Sequence, residues 1–234
     1  ALGGGYGVLI SPEKIDDAPW TDITLGNTNS FYGDYSFLNQ GRIRARGVNI
    51  GQDATAVLIT GATQNSTNYS TTFDFGLYNG LWGVIEVEAD DGNAIAIDIG
   101  ANTSIPEIVN TGVLTSITLA ELNNSGERIG SGGDSYAIRL NETSQVNRIQ
   151  NDGAITSTAE GASASAYGII DNSGTVEEFR NTNSIRTEIE GDSTGQTVAV
   201  DLSNNSTTID FYSSGQITGD VILGSGTNTI EIVG

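Results

Sequence analysis

The chain of 234 residues contains no histidine, no cysteine and no methionine. It therefore lacks the imidazole and thiolate groups that Ser-His-Asp and Cys-His nucleophiles and zinc sites require. The chemistry that remains open belongs to oxygen groups, because carboxylates can bind calcium or work in pairs as an acid and a base. These absences exclude most of the common hydrolase and transition-metal sites.

Basic residues are also scarce, since 9 Lys and Arg stand against 29 Asp and Glu, which gives a net charge of −20. A surface of this charge repels nucleic acids and anionic lipids, so we expect neither as a partner. No apolar run approaches the roughly 18 residues that span a bilayer, so we expect no transmembrane segment in this chain.

Glycine, by contrast, occupies 31 positions, while charged residues make up only 16% of the chain. This composition holds too few strong helix formers for long helices. Short runs of Val, Ile and Thr between Gly, Asn and Ser are typical of many brief strands joined by tight turns. Disorder is excluded because hydrophobic residues make up 37% of the sequence and recur at fixed spacing.

An apolar five-residue segment recurs along the second half of the chain. Its central residue is Ile97, Ile138, Ile169 and Val200 in the four clearest copies. The last two steps are 31 residues each, and the first is 41 because a polar insertion loop, predicted at 118–133, adds ten residues. The regular return predicts an architecture built from repeats of roughly 31 residues.

Hydrophobicity alternates within each copy, as in Ile95-Ala-Ile-Asp-Ile99. A period of two indicates a strand with one face toward a core, and it argues against a helical repeat such as ankyrin. Stacking one repeat per turn places like strands side by side in parallel, about 4.8 Å apart. The sequence therefore predicts an all-β fold, a single parallel β-solenoid domain over residues 1–234 with about six to seven coils. Residues 11–36 depart from the repeat, so we expect an irregular excursion or cap there.

A second element, apolar-x-Asn-x-Gly-x-apolar, recurs after these strands, with degenerate copies at 179–185 and 211–217. We expect its Asn and Gly to form bends, since both tolerate left-handed backbone conformations. Stacked coil upon coil, the asparagines would hydrogen-bond to one another as a structural ladder. The members of this ladder would be Asn39, Asn110, Asn151 and Asn181. A row of glycan or metal ligands is the functional alternative.

The repeated pattern, Tyr-x-Ile followed by Val-x-x-Ile-x-Asn-x-Gly-x-Ile, resembles the passenger domains of autotransporters. The segment 215–230 is similar to them as well, and the likeness covers about residues 37–234. Autotransporter passengers are bacterial surface proteins that thread a right-handed parallel β-helix through an outer-membrane barrel. The resemblance therefore implies a right-handed, acidic, cysteine-poor rod at the bacterial cell surface or outside the cell, often adhesive.

Two outward acids, Glu178 and Asp210, are the catalytic candidates of the chain. The repeat places them on adjacent coils, within about 5 Å of each other at the backbone. Such a pair could serve as an acid and base or as a calcium site, or it could belong to a solvated acidic face. The same alignment places Asp98 beside Arg139 as an opposite-charge pair across neighbouring strands.

The densest acidic loop combines oxygen ligands with a glycine that suits a sharp turn. Its calcium candidates are Glu88, Asp90, Asp91 and Asn93. The loop lacks the full alternating ligand pattern and the closing Glu of a calcium loop, so a plain turn between two strands is the alternative. Apart from calcium, we expect no cofactor.

Both ends of a solenoid leave backbone groups and an apolar core facing water. Strands are expected near each end of the sequence, at 6–10 and 229–233. We expect copies of the chain to associate end to end through these strands, giving oligomers or a filament. The residues that would meet are Tyr6, Val8 and Ile10 with Ile230 and Ile232.

Composition, repeat and resemblance together favour a non-enzymatic extracellular structural or adhesive surface protein. Its expected partners are further copies of itself, extracellular glycans, and a host or neighbouring cell surface. The alternative is a carbohydrate-active β-helix such as a polysaccharide lyase, a glycosidase or a tailspike-like module, since fold alone does not fix function. The one basic cluster, Arg42, Arg44 and Arg46, could meet an anionic glycan or balance nearby acids. A calcium-stabilised secreted module is the third hypothesis.

Overall fold

A computed structural model describes residues 5–13, 19–28, 30–31, 33–127, 129–191 and 193–233. Within these residues the chain forms 24 strands and no helix, and hence no helix able to cross a bilayer. In chain order the strands are β1 (Gly5–Ile10), β2 (Ile23–Leu25), β3 (Tyr35–Asn39), β4 (Arg42–Arg46), β5 (Ala54–Ile59), β6 (Ala62–Gln64), β7 (Thr67–Tyr69), β8 (Thr71–Phe73), β9 (Gly76–Asn79), β10 (Val84–Asp90), β11 (Ala94–Ile99), β12 (Thr103–Asn110), β13 (Val113–Leu119), β14 (Ser135–Leu140), β15 (Gln145–Asn151), β16 (Ala154–Glu160), β17 (Ala166–Asp171), β18 (Glu178–Asn181), β19 (Ser184–Glu190), β20 (Thr197–Leu202), β21 (Asp210–Ser213), β22 (Gln216–Thr218), β23 (Asp220–Leu223) and β24 (Thr229–Ile232).

All of these strands except the antiparallel hairpin β6–β7 belong to three parallel sheets. Sheet 1 contains β1, β5, β11, β14, β17, β20 and β23 in that spatial order. Sheet 2 contains β2, β8, β12, β15, β18, β21 and β24, with β3 and β9 paired alongside. Sheet 3 contains β4, β10, β13, β16, β19 and β22.

The chain enters sheets 1, 2 and 3 in turn, so each return to sheet 1 begins a new coil. Among the described residues, six coils pass through all three sheets and a seventh enters sheets 1 and 2. This arrangement confirms the predicted parallel β-solenoid and the predicted number of coils.

The strands pair in the register that the repeat predicts. In sheet 1, Ile97, Ile138, Ile169 and Val200 lie opposite one another on successive coils. Val57, which the sequence pattern does not reveal, extends the same row by one coil. The register is strongly specified, because a slip of one residue would turn every core side chain toward water.

Loops of different size join equivalent strands, so the coils differ in length. The insertion expected at 118–133 lies largely between β13 and β14, although its first two residues still belong to β13. The irregular excursion expected at 11–36 contains strand β2, which pairs with β8 in sheet 2. A strand of three residues is too short to give a periodic signal, which is why the sequence does not predict it. Residues 14–18, 29 and 32 of that segment lie outside the described residues.

Equivalent residues on successive coils form rows along the axis, which we call columns. One inward column of sheet 3 contains Ile43, Ile85, Leu114, Ile155, Ile185 and Ile217. One inward column of sheet 2 contains Phe37, Leu77, Ile108, Ile149, Phe179 and Phe211. These residues form or pack against a single core cluster. Full burial of each such side chain contributes about 1.5–3 kcal/mol, and a coil achieves it only between two neighbours.

Candidate functional site

Buried asparagines form an unbroken ladder at the corner where the chain passes from sheet 2 to sheet 3. The Nδ2 of each donates to the Oδ1 of the next at 2.8 Å, in the order Asn39, Asn79, Asn110, Asn151 and Asn181. Asn181 then donates to the hydroxyl of Ser213 at 3.2 Å. The sequence reasoning missed Asn79, because Leu81 and Trp82 lengthen the corner behind it and hide the Asn-x-Gly spacing.

Each central amide of the ladder uses its nitrogen twice. The Nδ2 of Asn110 also donates to the carbonyl oxygen of Ala154 at 3.4 Å, and that of Asn151 to the carbonyl oxygen of Ser184 at 3.2 Å. Asn110 is 1% exposed and Asn151 is fully buried. These side chains therefore tie adjacent coils together and have no amide proton left for an outside ligand.

Two of the glycines that follow the ladder, Gly112 and Gly153, are required by crowding and not by backbone handedness. The expectation of left-handed bends is wrong here, since neither the ladder asparagines nor Gly112 and Gly153 have a positive φ. A Cβ on Gly112 would lie 2.1 Å from the carbonyl oxygen of Gly83, and one on Gly153 would lie 2.2 Å from that of Gly112. At Gly112 and Gly153 the backbones of successive coils thus lie too close for a side chain. The equivalent position is Asn183 in the next coil, and a Cβ on Gly41 would meet no atom within 4 Å.

Arg148 lies between two carboxylates in an outward column of sheet 2. The column contains Glu107, Arg148, Glu178 and Asp210. Nη1 of Arg148 lies 2.6 Å from Oε2 of Glu107, and its Nε lies 3.2 Å from Oε1 of Glu178. The register sets the catalytic candidates Glu178 and Asp210 opposite each other, but Glu178 is ion-paired with Arg148 on its other side. The geometry is that of an arginine-centred charge cluster on a partly exposed face.

Asp98 and Arg139 form a bidentate ion pair on the outer side of sheet 1. Nε and Nη2 of Arg139 donate to the two oxygens of Asp98 at 3.0 and 2.8 Å. The amide of Asn141 donates to the same carboxylate at 2.6 Å. The Asp98 side chain is only 8% exposed and that of Arg139 is 25% exposed. Because water compensates these charges poorly, each charge needs its partner far more than a charge in a surface ion pair does.

Tyr136 packs beside this ion pair and stacks on Tyr167 of the next coil, with ring centroids 5.0 Å apart and an angle of 7°. Its hydroxyl donates to Oδ2 of Asp134 at 3.0 Å, and the guanidinium of Arg139 lies 5.3 Å from the ring centre. Burial and then the negative charge of Asp134 raise the pKa of Tyr136 well above its ordinary value. The phenol is therefore a neutral hydrogen-bond donor in the wall of the rod and not a base.

Two of the calcium candidates are held by backbone groups of the neighbouring loop. Oδ1 of Asp91 accepts a hydrogen bond from the backbone N–H of Gly132 at 2.7 Å. Oδ1 of Asn93 accepts one from the backbone N–H of Asp134 at 2.8 Å. In the part of the chain that the structure describes, no group of three or more acidic side chains is placed to hold a metal ion. What these two oxygens do is fasten the turn at 91–93 to the loop of the next coil.

The other two calcium candidates, Glu88 and Asp90, belong to an interleaved row of charges on sheet 3. The row joins the β4 residues Arg42, Arg44 and Arg46 to the β10 residues Glu86, Glu88 and Asp90, with N–O distances from 2.7 to 3.9 Å. The arginine side chains are 55–64% exposed and those of the two glutamates about 20%, so the guanidinium groups form the outer layer. Strand β4 is an edge of sheet 3, so this row of charges lies along that edge.

The strands expected to meet in end-to-end association lie in different sheets. Strand β1, with Tyr6, Val8 and Ile10, forms an edge of sheet 1, whereas β24, with Ile230 and Ile232, forms an edge of sheet 2. The opposite edge of sheet 1 is β23. In a stack that continues the sheets, β23 and not β24 would therefore lie next to β1. End-to-end association itself stays a prediction, and sedimentation velocity of the concentrated protein checks it.

A shallow hollow of about 480 Å³ opens on the outer face of sheet 3. Its lining comes from β16, β19 and β22, which belong to three successive coils. The sequence reasoning did not find this hollow, because its residues are about thirty positions apart and come together only when the coils are stacked.

No protein-family model matches this chain, and comparison with curated proteins and with solved structures gives no match either. The structure shows an all-β parallel solenoid built from repeats.

Proposed function

We propose that this chain is a non-enzymatic structural and adhesive protein of the bacterial cell surface, a passenger-type β-solenoid that presents its lateral faces to other surfaces. The repeat pattern that resembles autotransporter passengers supports a place outside the cell, and the acidity and the lack of cysteine agree with that resemblance. The structural part is supported by the way each coil is bound to the next through backbone pairing, apolar columns and the asparagine ladder.

The observation that carries the adhesive part is the outer face of sheet 3, six strands wide and about 24 Å along the axis. Most of its charges occur in pairs, on β4 and β10 at one end and between Arg186 and Glu188 of β19 at the other. Glu160 and Glu190 are two further acids, at the last positions of β16 and β19. Between these groups, β13 and β16 present uncharged side chains at every outward position before Glu160. These residues are Val113, Thr115, Ile117, Leu119, Ala154, Thr156 and Thr158.

Paired charges matter because the chain as a whole carries −20. A like-charged cell surface is repelled by the acids of the rod, and it is repelled least at a face where arginines balance most of the acids. Threonine hydroxyls can donate and accept hydrogen bonds while their methyl groups make apolar contacts. These properties support the assignment of adhesion to the outer face of sheet 3.

Negative charge placed on the uncharged strip should abolish adhesion. We expect Thr115→Glu/Thr158→Glu to lower the attachment of protein-coated beads to bacterial or epithelial cells at least about tenfold, because repulsion replaces hydrogen bonding. Both side chains point outward from strands, so the solenoid accommodates the change. Flow cytometry counts the attached beads, and circular dichroism verifies that the variant remains folded.

The matched control is Thr24→Glu/Thr72→Glu, which adds the same charge to two threonines that lie opposite each other in sheet 2. Beads coated with this control should attach as well as beads coated with the unsubstituted chain. Equal losses in the two variants, or no attachment by the unsubstituted chain, would contradict the proposal.

A further inference from the structure

The hollow on sheet 3 lies where the sheet narrows. Strand β19 has seven residues and β22 has three, so Arg186 has the neighbour Thr218 on the next coil while Glu188 has no counterpart in β22. The chain leaves the sheet at Gly219, whose φ of 118° suits glycine. A shallow hollow of about 480 Å³ lies beside β22.

The lining of the hollow consists mainly of groups that hydrogen-bond to hydroxyls. Its polar members are Thr156, Ser184, Arg186, Glu188, Gln216 and Thr218. Arg186 and Glu188 pair with each other. Within the described ranges, the hydroxyls of Thr156, Ser184 and Thr218 and the amide of Gln216 make no hydrogen bond to another protein group. These four side chains therefore keep their donors and acceptors for a ligand.

Charge decides which kind of ligand fits. Arg186 and Glu188 cancel each other inside the hollow, and the net charge of −20 repels a polyanion. A neutral ligand rich in hydroxyl groups matches the remaining uncharged donors and acceptors. The hollow also extends over three coils, about 10 Å along the axis, which suits a segment of a polymer better than one small molecule.

We propose that this hollow binds a segment of a neutral polysaccharide laid across β16, β19 and β22. Thr156, Ser184, Gln216 and Thr218 hydrogen-bond to the sugar hydroxyls, and the Arg186–Glu188 pair offers a charge-assisted donor and acceptor. No aromatic ring is among these lining residues, so one sugar unit binds weakly. A polymer binds more tightly because it contacts several copies of the chain at once. The inference rests on the proposed adhesive function and names the class of its target.

The test is affinity electrophoresis of the purified chain in gels that contain dextran, mannan or soluble starch, with alginate as the polyanionic comparison. Thr156→Val/Thr218→Val removes two hydroxyls and keeps the β-branched shape that strands favour. We expect affinity for the polysaccharide that binds to fall about tenfold, the effect of losing two hydrogen bonds. Thr24→Val/Thr72→Val makes the same change on sheet 2 and should leave affinity unaltered.

A selective loss in the first variant supports the site. Binding to none of the three neutral polysaccharides, binding to alginate alone, or equal affinities of the two variants overturns it. Failure of this inference is distinguishable from failure of the adhesive function. If Thr156→Val/Thr218→Val leaves affinity for every neutral polysaccharide unchanged while beads no longer attach after Thr115→Glu/Thr158→Glu, the adhesive face stands and the polysaccharide hollow does not.

Discussion

Replacement of Asn110 by Asp is expected to lower the free energy of unfolding by about 3–5 kcal/mol at neutral pH. Asn110 is 1% exposed, and its Nδ2 donates to Oδ1 of Asn151 and to the carbonyl oxygen of Ala154. An aspartate would turn a carboxylate oxygen toward these two acceptors in a place that water does not reach. Urea unfolding followed by far-ultraviolet circular dichroism measures the loss.

Asn204→Asp is the matched control for this substitution, because Asn204 is exposed and the change of charge and shape is the same. We expect it to alter the free energy of unfolding by less than about 0.5 kcal/mol. Similar losses at the two positions, or no loss at Asn110, would show that the ladder does not hold the coils together.

Removal of Arg139 alone should destabilise the chain far more than removal of its whole ion pair. Arg139→Leu leaves the Asp98 carboxylate, 8% exposed, without its bidentate partner. We expect this variant to lose about 2–4 kcal/mol of unfolding free energy. Asp98→Leu/Arg139→Leu instead continues an aliphatic column, in which Leu58 and Ile170 are the flanking residues. The double variant should lie within about 1 kcal/mol of the unsubstituted chain.

A double-mutant cycle measured by urea unfolding separates the coupling of the two side chains from their individual packing. Arg186→Leu provides the exposed comparison. The Arg186 side chain is 59% exposed, and its removal leaves no buried carboxylate without a partner. A double variant as unstable as Arg139→Leu would mean that the pair contributes through packing against its neighbours and not through compensation of the buried charge of Asp98.

The fold could be predicted from the sequence because every coil faces the same constraint. Each must point an apolar side chain inward, and the coil above must do so at the same angular position, as Ile138 and Ile169 do. This requirement appears in the sequence as the spacing of 31 residues between Ile138 and Ile169. The same alignment sets Asp98 beside Arg139, because outward neighbours follow once inward neighbours are fixed.

The features that the sequence did not reveal have local causes. Asn79 is hidden because Leu81 and Trp82 are inserted between it and the glycine that follows in other coils. Gly112 is needed because a carbonyl oxygen of the preceding coil lies close to it. The sequence around Gly112 does not indicate that contact. The hollow on sheet 3 exists because β22 ends after three residues, and the residue types of β22 do not predict where it ends.

A distance across the stacked coils tests the solenoid most directly. Because the chain has no cysteine, Arg44→Cys/Thr218→Cys introduces the only two sites for spin labels. The two positions share an outward column of sheet 3 and lie five coil steps apart. At about 4.8 Å per step, double electron–electron resonance should give a narrow distribution for a backbone separation of about 24 Å. A broad distribution, or a narrow one centred well away from that separation, would contradict the parallel, in-register stack.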